Sequence, residues 1–194
     1  MPNFKFHIVT SPYDPRFCAI KRKPETILKA WRLREGALFG ADFPSTARFE
    51  MDKRAGDMTP DLLPNVLSLL MISSRVRALF EAERVSDVEY LPFELANKRG
   101  SVVSRDYSVA NLIGGVDCLD AARSKFDEDP LEPGGIANLY KLNLHLDRIP
   151  EDKKLFRLKQ MMHEFIIRSD LLQLLREQGV TGLATLDLDT EIIL

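Results

Sequence analysis

Two similar segments decide how this chain is expected to fold: SDLLQLLREQGVTGL at residues 169–183 and SRVRALFEAERVSDV at residues 74–88, which begin 95 positions apart. An apolar run precedes each segment: Val66–Ser73 precedes the first copy, at residues 74–88, and Phe165–Ile167 precedes the second, at residues 169–183. Runs of this kind are typical of buried strands. Each copy therefore predicts a strand, a helix and a second strand. The likeness arises either from an internal repeat or from chance convergence on one kind of capped helix.

The two predicted helices share a start signal and an apolar face. Ser74 and Ser169 are the expected N-caps, because a serine hydroxyl can accept a hydrogen bond from a free backbone N–H in the first turn. The expected apolar stripes are Val76, Leu79 and Phe80 in the first helix and Leu171, Leu174 and Leu175 in the second. Gly179 follows the second helix, where a left-handed residue commonly ends a helix.

Short strands are expected over most of the remaining sequence. They are Phe4–Ile8, Phe17–Ile20, Ala47–Met51, Val88–Leu95, Tyr107–Leu112, Val116–Leu119, Leu139–Leu146 and Leu183–Leu188. Pro24–Trp31 predicts a brief helix, and the glycines and prolines of residues 36–64 predict loops. Few helices and many strands indicate an α+β fold with a mixed, mainly antiparallel sheet. We expect one domain over residues 1–194, with N-terminal strands and a short helix in residues 1–38 ahead of a core at residues 39–188.

The composition indicates a soluble globular protein. Hydrophobic residues make up 45% and charged residues 29%, and the net charge of −2 gives no general attraction to nucleic acid or anionic membranes. The N-terminus lacks the pattern of a secretory signal, and the longest apolar run, around Leu67–Ile72, is too short to cross a membrane. Cys18 and Cys118 have no metal or redox spacing, so we expect two reduced, partly buried thiols, with a disulfide as the alternative. A cytoplasmic protein is the resulting expectation.

A search for catalytic or metal-binding patterns finds none that is specific. The three histidines, His7, His145 and His163, lack the spacing that places metal ligands on one helix face. There is no G-x-S-x-G motif, and Gly114-Gly115 lacks the other residues of a phosphate-binding loop. Asp117 and Asp120 are close in sequence, which leaves carboxylate catalysis as an alternative. We expect no enzyme activity, no metal and no cofactor.

One acidic segment stands out as a candidate binding surface. DEDPLEPGG, residues 127–135, combines Asp127, Glu128, Asp129 and Glu132 with prolines and glycines and predicts an exposed, mobile loop. Clustered charge accelerates association with a partner of opposite sign. The loop is therefore either an ordinary solvated turn or a docking surface for a basic protein.

Several motifs give the chain a family resemblance. They are ADFP (41–44), DLLPN (61–65), YLPFEL (90–95), DYSVANLIGGVDCLD (106–120), LFRL (155–158) and IIRSDLLQLLREQGVTGL (166–183). Together they resemble the immunity proteins of bacterial polymorphic-toxin systems, in a branch long classed as a domain of unknown function. The resemblance covers residues 39–188 and includes no catalytic residue.

What the resemblance implies is a cytoplasmic protein that binds a cognate toxin and blocks it. Many such toxins are basic enzymes that act on nucleic acid, which agrees with an acidic loop as the docking surface. Two alternatives remain at this point: an enzyme that uses scattered carboxylates or histidines, and an adaptor or chaperone for a secreted effector. The sequence does not set the oligomeric state.

Overall fold

A computed structural model of the chain describes residues 4–188. Its strands are β1 (Phe6–Thr10), β2 (Arg48–Glu50), β3 (Met71–Ser73), β4 (Val88–Ala96), β5 (Val102–Leu112), β6 (Lys125–Glu128), β7 (Ile136–Lys141), β8 (Leu155–Leu158), β9 (Met161–Arg168) and β10 (Ala184–Asp187). Its α-helices are α1 (Trp31–Arg34), α2 (Ser74–Ala82) and α3 (Ser169–Glu177). Short helices and many strands confirm the α+β class.

The strands form two four-stranded sheets and a separate hairpin. One sheet has the order β10-β1-β9-β8 and is antiparallel throughout. The other has the order β2-β4-β5-β3, in which β2 runs parallel to β4 and the remaining pairs are antiparallel. Strands β6 and β7 form the hairpin. The predicted mixed, mainly antiparallel arrangement is therefore confirmed.

The repeated sequence segment corresponds to a repeated strand–helix–strand unit. Helix α2 joins β3 to β4 on either side of β5, and α3 joins β9 to β10 on either side of β1. Both helices have nine residues and end in the same motif. Val85 N–H donates to Phe80 O at 2.9 Å, and Val180 N–H donates to Leu175 O at 3.0 Å. The two units thus share topology as well as sequence.

The helix starts differ from the prediction. In α2 the N-cap is Ser73, whose hydroxyl accepts from Val76 N–H at 3.3 Å, and Ser74 is the first helical residue. In α3 the N-cap is Arg168, with no side-chain capping bond. The Ser169 hydroxyl donates to the Lys5 carbonyl instead, at 2.9 Å. Both predicted caps were therefore wrong by one position.

The two helices share one apolar core, which both sheets line. Its main members are Val76 and Phe80 of α2, Ala110 and Leu112 of β5, Phe165 and Ile167 of β9, and Leu171, Leu172 and Leu175 of α3. Leu79 and Leu174, which were predicted as core residues, are only half-buried. Both sheets therefore contribute side chains to one core, and a single domain over residues 1–194 stays a prediction.

Asp61 ties the first unit to the second. One carboxylate oxygen accepts from the Ser73 hydroxyl at 2.8 Å, and the other accepts from the N–H and the hydroxyl of Thr181, each at 3.0 Å. Burial acts to raise the pKa of Asp61, but these hydrogen bonds outweigh it and lower the pKa. The start of α2 is thereby fixed to the turn after α3.

Two predicted elements in the N-terminal half are shorter than expected. Strand β3 begins only at Met71, because Asn65 accepts hydrogen bonds from the N–H groups of Leu67 and Leu69 and folds the preceding residues into a loop. The predicted helix at Pro24–Trp31 is also wrong, since a turn between Pro24 and Ile27 precedes a single helical turn that begins at Trp31.

Three predicted strands are partly or wholly replaced by isolated bridges. Phe17–Ile20 and Val116–Leu119 pair with neighbouring segments only at single residues. Strand β7 ends at Lys141, ahead of the predicted end at Leu146, because the Ser124 hydroxyl accepts the Asn143 N–H. The strands predicted at residues 47–51, 88–95, 107–112 and 183–188 are confirmed to within a few residues.

The shared core predicts a difference between two neighbouring leucines of α3. Leu175→Ala should lower the free energy of unfolding by about 2–5 kcal/mol, because it leaves a cavity among residues of both sheets. Leu174→Ala should cost less, because its side chain is only partly buried at the border of this core. Urea unfolding followed by circular dichroism measures both values and should show one cooperative transition. Equal losses for the two variants would contradict this placement.

Candidate functional site

A cavity of about 910 Å³ forms an open groove between two walls. One wall comprises α1 with the residues before it and the loop that follows Asn65. The other comprises the loop between β6 and β7, residues 129–135, and the turn between β8 and β9. The acidic segment singled out in the sequence therefore forms part of one wall of this groove.

Exposed apolar side chains line the first wall. Trp31 is 57% exposed and Val66 is 69% exposed, and both face the groove. Ile27, Leu33 and Phe49 lie buried beneath them. Exposed tryptophan in a concave site is typical of a surface that another molecule covers, since tryptophan dominates binding energy at interfaces.

The structure divides the four predicted acidic residues into two groups. Asp127 lies on β6 and accepts hydrogen bonds from the Tyr140 hydroxyl at 2.7 Å and the Asn138 amide at 3.1 Å, which lower its pKa. Glu128 is exposed at the end of β6. Asp129 and Glu132 line the groove. Asp127 is therefore a structural residue of the hairpin, while the other three carboxylates are available to a partner.

Hydrogen bonds fix the shape of the acidic loop. Asp129 accepts from the Leu131 N–H at 2.8 Å, and its own N–H donates to the Gly135 carbonyl at 3.0 Å. Gly135 N–H donates to the Glu132 carbonyl at 2.8 Å across a Pro-Gly turn in which Gly134 has φ of 82°. Only glycine adopts this conformation readily. The carboxylates of Asp129 and Glu132 are therefore carried by defined turns.

A buried arginine holds the floor of the groove. Arg157 of β8 is 1% exposed and donates hydrogen bonds to the carbonyls of Leu112 at 3.1 Å, Leu33 at 2.8 Å and Met162. Its guanidinium also lies 4.6 Å from the centre of the Phe165 ring. Burial lowers the pKa of Arg157 to about 10, so the side chain stays charged at neutral pH. Leu33 and Met162 both line the groove, and Arg157 fixes their positions.

His163 and Glu164 lie where the groove meets a smaller cavity of about 250 Å³. Burial, followed by the positive charges of Arg34 and Arg157, lowers the pKa of His163. Burial raises the pKa of Glu164 to about 7. At neutral pH the imidazole is therefore uncharged, and the neighbouring carboxyl is close to half-ionised.

A serine, a histidine and an aspartate form a chain of contacts at the edge of the first sheet. His7 Nδ1 lies 2.7 Å from Asp187 Oδ1, and His7 Nε2 lies 3.1 Å from Ser169 Oγ. The order of groups is that of a catalytic triad. However, the Ser169 hydroxyl also lies 2.9 Å from the Lys5 carbonyl, and none of the three residues lines either cavity. The contacts connect β1 to α3 and β10.

Three further candidates for catalysis are not part of the lining of either cavity. Asp117 accepts from the Gln160 amide at 2.6 Å, and Asp120 accepts from Arg123 at 2.6 Å. His145 Nε2 lies 4.0 Å from Asp120 Oδ1. None of Asp117, Asp120 and His145 lines the groove or the smaller cavity. The structure therefore assigns these side chains to local hydrogen bonds and ion pairs.

The remaining sequence candidates have structural roles. Cys18 and Cys118 are buried free thiols, as expected, and burial raises their pKa values to about 11 and about 12. Among residues 4–188, no three His, Cys, Asp or Glu side chains are grouped as metal ligands. Within the same range, no helix combines the length and apolar character that crossing a bilayer requires.

Comparison with known proteins identifies one relationship. A model of an immunity protein family, Imm11, matches residues 12–190. The match begins ahead of residue 39, where the sequence resemblance started, and it includes every residue of the groove named above. No curated protein matches the chain.

The raised pKa of Glu164 predicts a pH-dependent stability. Between its unfolded value near 4.5 and its folded value of about 7, the folded protein binds more protons than the unfolded chain, so stability falls as pH rises through this window. Glu164→Gln should remove this penalty and raise the free energy of unfolding at pH 8 by up to about 3 kcal/mol. At pH 5 the gain should be small. Urea unfolding at both pH values, with the exposed Glu151→Gln as control, measures the difference; equal gains at pH 5 and pH 8 would contradict the assignment.

The contacts of Ser169 predict an unreactive hydroxyl. A fluorophosphonate probe, which labels activated serines, should leave the native protein unmodified, because Ser169 lines neither cavity described above and its hydroxyl donates to the Lys5 carbonyl. Intact-protein mass spectrometry checks this, with Ser169→Ala as the matched variant. Labelling that disappears in Ser169→Ala would identify Ser169 as a nucleophile and contradict a structural role.

Proposed function

The chain belongs to the Imm11 immunity protein family, and from this premise we propose that it binds a cognate protein toxin and neutralises it by forming a stoichiometric complex. It does so without catalysis, in the bacterial cytoplasm, as part of a polymorphic-toxin system used in competition between cells. The partner is a protein with a basic binding surface.

The observation that carries this proposal is the acidic hairpin. Glu128, Asp129 and Glu132 lie close together on β6 and its following loop, and within residues 4–188 none of them forms an ion pair. An isolated group of like charges on a defined loop does not stabilise the fold. It does attract a surface of opposite charge and increase the rate of encounter.

An inhibitor of this kind requires a complementary surface and no reactive group. Among the catalytic candidates His163 lines both cavities, but His7, His145, Asp117 and Asp120 line neither, so no second candidate from the sequence joins His163 there. The acidic loop and the exposed Trp31 border the same groove. Interfaces combine such a charged rim with a buried aromatic anchor. The arrangement supports binding of another protein over turnover of a substrate.

The proposal is tested by capturing the partner and measuring its activity. The tagged protein should retain one stoichiometric partner from its native cytoplasm, and that partner should be toxic when expressed alone and harmless when co-expressed. A partner that is active while bound would indicate an adaptor or chaperone. Recovery of the protein without any partner would contradict the immunity function.

Neutralising the hairpin should slow association with this partner. The variant Glu128→Gln/Asp129→Asn/Glu132→Gln removes three charges, keeps an acceptor at residue 129 for the Leu131 N–H, and leaves Asp127 in its bonds to Tyr140. We expect an association rate about tenfold lower at low salt and a smaller difference at 0.5 M salt. Surface plasmon resonance measures both.

The matched control removes three exposed acidic charges elsewhere. Asp147→Asn/Glu151→Gln/Asp152→Asn has the same change in net charge, away from the groove. It should bind with nearly the wild-type rate. If both triple variants lowered the association rate equally, only the net charge of the protein would matter. This result would contradict a place for the hairpin in the interface.

A further inference from the structure

We propose that the groove receives an inserted segment of the toxin, which places an apolar side chain against Trp31 and Val66 and a lysine or arginine beside Asp129 and Glu132. This inference rests on the proposed function and specifies its interface. The segment enters between the wall formed by α1 and the wall formed by the acidic loop.

The apolar part of the inference follows from exposure and volume. Trp31 and Val66 remain more than half exposed on one wall of a groove of about 910 Å³. That volume lies near the upper end of the range of about 300–1,000 Å³ typical of ligand pockets, so it exceeds the need of one side chain. A loop or helical turn that carries an apolar residue would cover both side chains.

Charge decides how the segment is oriented. Asp129 and Glu132 stand on one wall together with Lys159, which is paired with Asp117 at 3.3 Å, whereas Lys23, Arg34 and Glu35 stand on the other. Within the described residues, Arg34 has no carboxylate partner, and His163 contributes no charge because its pKa is lowered. The hairpin wall therefore has a net negative charge and the opposite wall a net positive charge, so a cation on the inserted segment is drawn to the hairpin wall. The partner's basic residue therefore faces Asp129 and Glu132.

The groove is formed before the partner arrives. Arg157 joins the carbonyls of Leu33 and Met162, one on each wall, and two hydrogen-bonded turns hold the acidic loop. Binding therefore orders few additional groups, and a preorganised site loses less free energy on association. This condition favours a tight complex from a small number of anchoring contacts.

The chain offers a direct reporter, because Trp31 is its only tryptophan. Protein labelled with 5-fluorotryptophan should give one ¹⁹F resonance, which should shift when the captured toxin is added, whatever tryptophans the toxin contains. A soluble paramagnetic gadolinium chelate should broaden the free resonance more than the bound one, because the inserted segment covers the ring.

Variants test whether Trp31 anchors the segment. Trp31→Ala should weaken binding by about 30-fold or more, as expected for a central aromatic anchor. Val66→Arg should also weaken binding, because it adds a cation and bulk to the apolar wall at a position that is 69% exposed and tolerates substitution. The control Tyr13→Ala changes an aromatic residue that is 95% exposed and outside the groove, and it should stay within about twofold of wild type.

The outcomes separate this inference from the proposed function. The first possible outcome is a stoichiometric, inactive toxin complex in which the ¹⁹F resonance is unchanged and Trp31→Ala and Val66→Arg keep wild-type affinity. That outcome would contradict the groove as the interface but would leave the neutralising function intact. Failure to capture any toxin would overturn both. A shifted resonance with loss of affinity in both variants, in proteins whose melting temperatures match wild type, establishes the groove as the interface.

Discussion

The buried guanidinium of Arg157 is the interaction on which the groove depends. It connects β8 of one sheet to the end of β5 in the other sheet through the Leu112 carbonyl, and it connects both to α1 through Leu33. Burying a charge is costly unless its hydrogen bonds are satisfied, and here backbone carbonyls and the Phe165 ring supply the contacts. Without Arg157, these carbonyls would be left buried and the walls of the groove would lose their common attachment.

The two strand–helix–strand units provide the rigid body that carries this groove. Their helices pack in one core lined by both sheets, and Asp61 links the start of α2 to the turn after α3. The repeated sequence segments therefore form the structural core of the protein. The residues available for recognition lie instead in α1 and in the β6–β7 loop, outside both copies, where changes can alter a binding surface without disturbing the shared core.

Local patterns predicted the parts of this structure that local forces determine. Helices α2 and α3 and the role of Gly179 followed from periodicity and backbone preference, whereas α1 did not; the acidic loop followed from its prolines, glycines and charges, except that Asp127 and Glu128 lie on β6. The groove did not, because Trp31 and Glu132 meet only through tertiary packing. The arginine in LFRL offered one signal, since a charge within an apolar strand requires partners from elsewhere in the fold. Asn65 and Ser124 shortened predicted strands through side-chain bonds that periodicity does not register.

Hydrogen–deuterium exchange of the protein, alone and with its captured toxin, tests the central claim most directly. If the groove is the interface, added protection should concentrate in residues 23–35, 129–136 and 159–163, which lie far apart in sequence and meet only there. Residues 146–152, which carry the exposed acids Asp147, Glu151 and Asp152, should exchange as before. Protection confined to other surfaces, with these three segments unchanged, would contradict recognition through the groove.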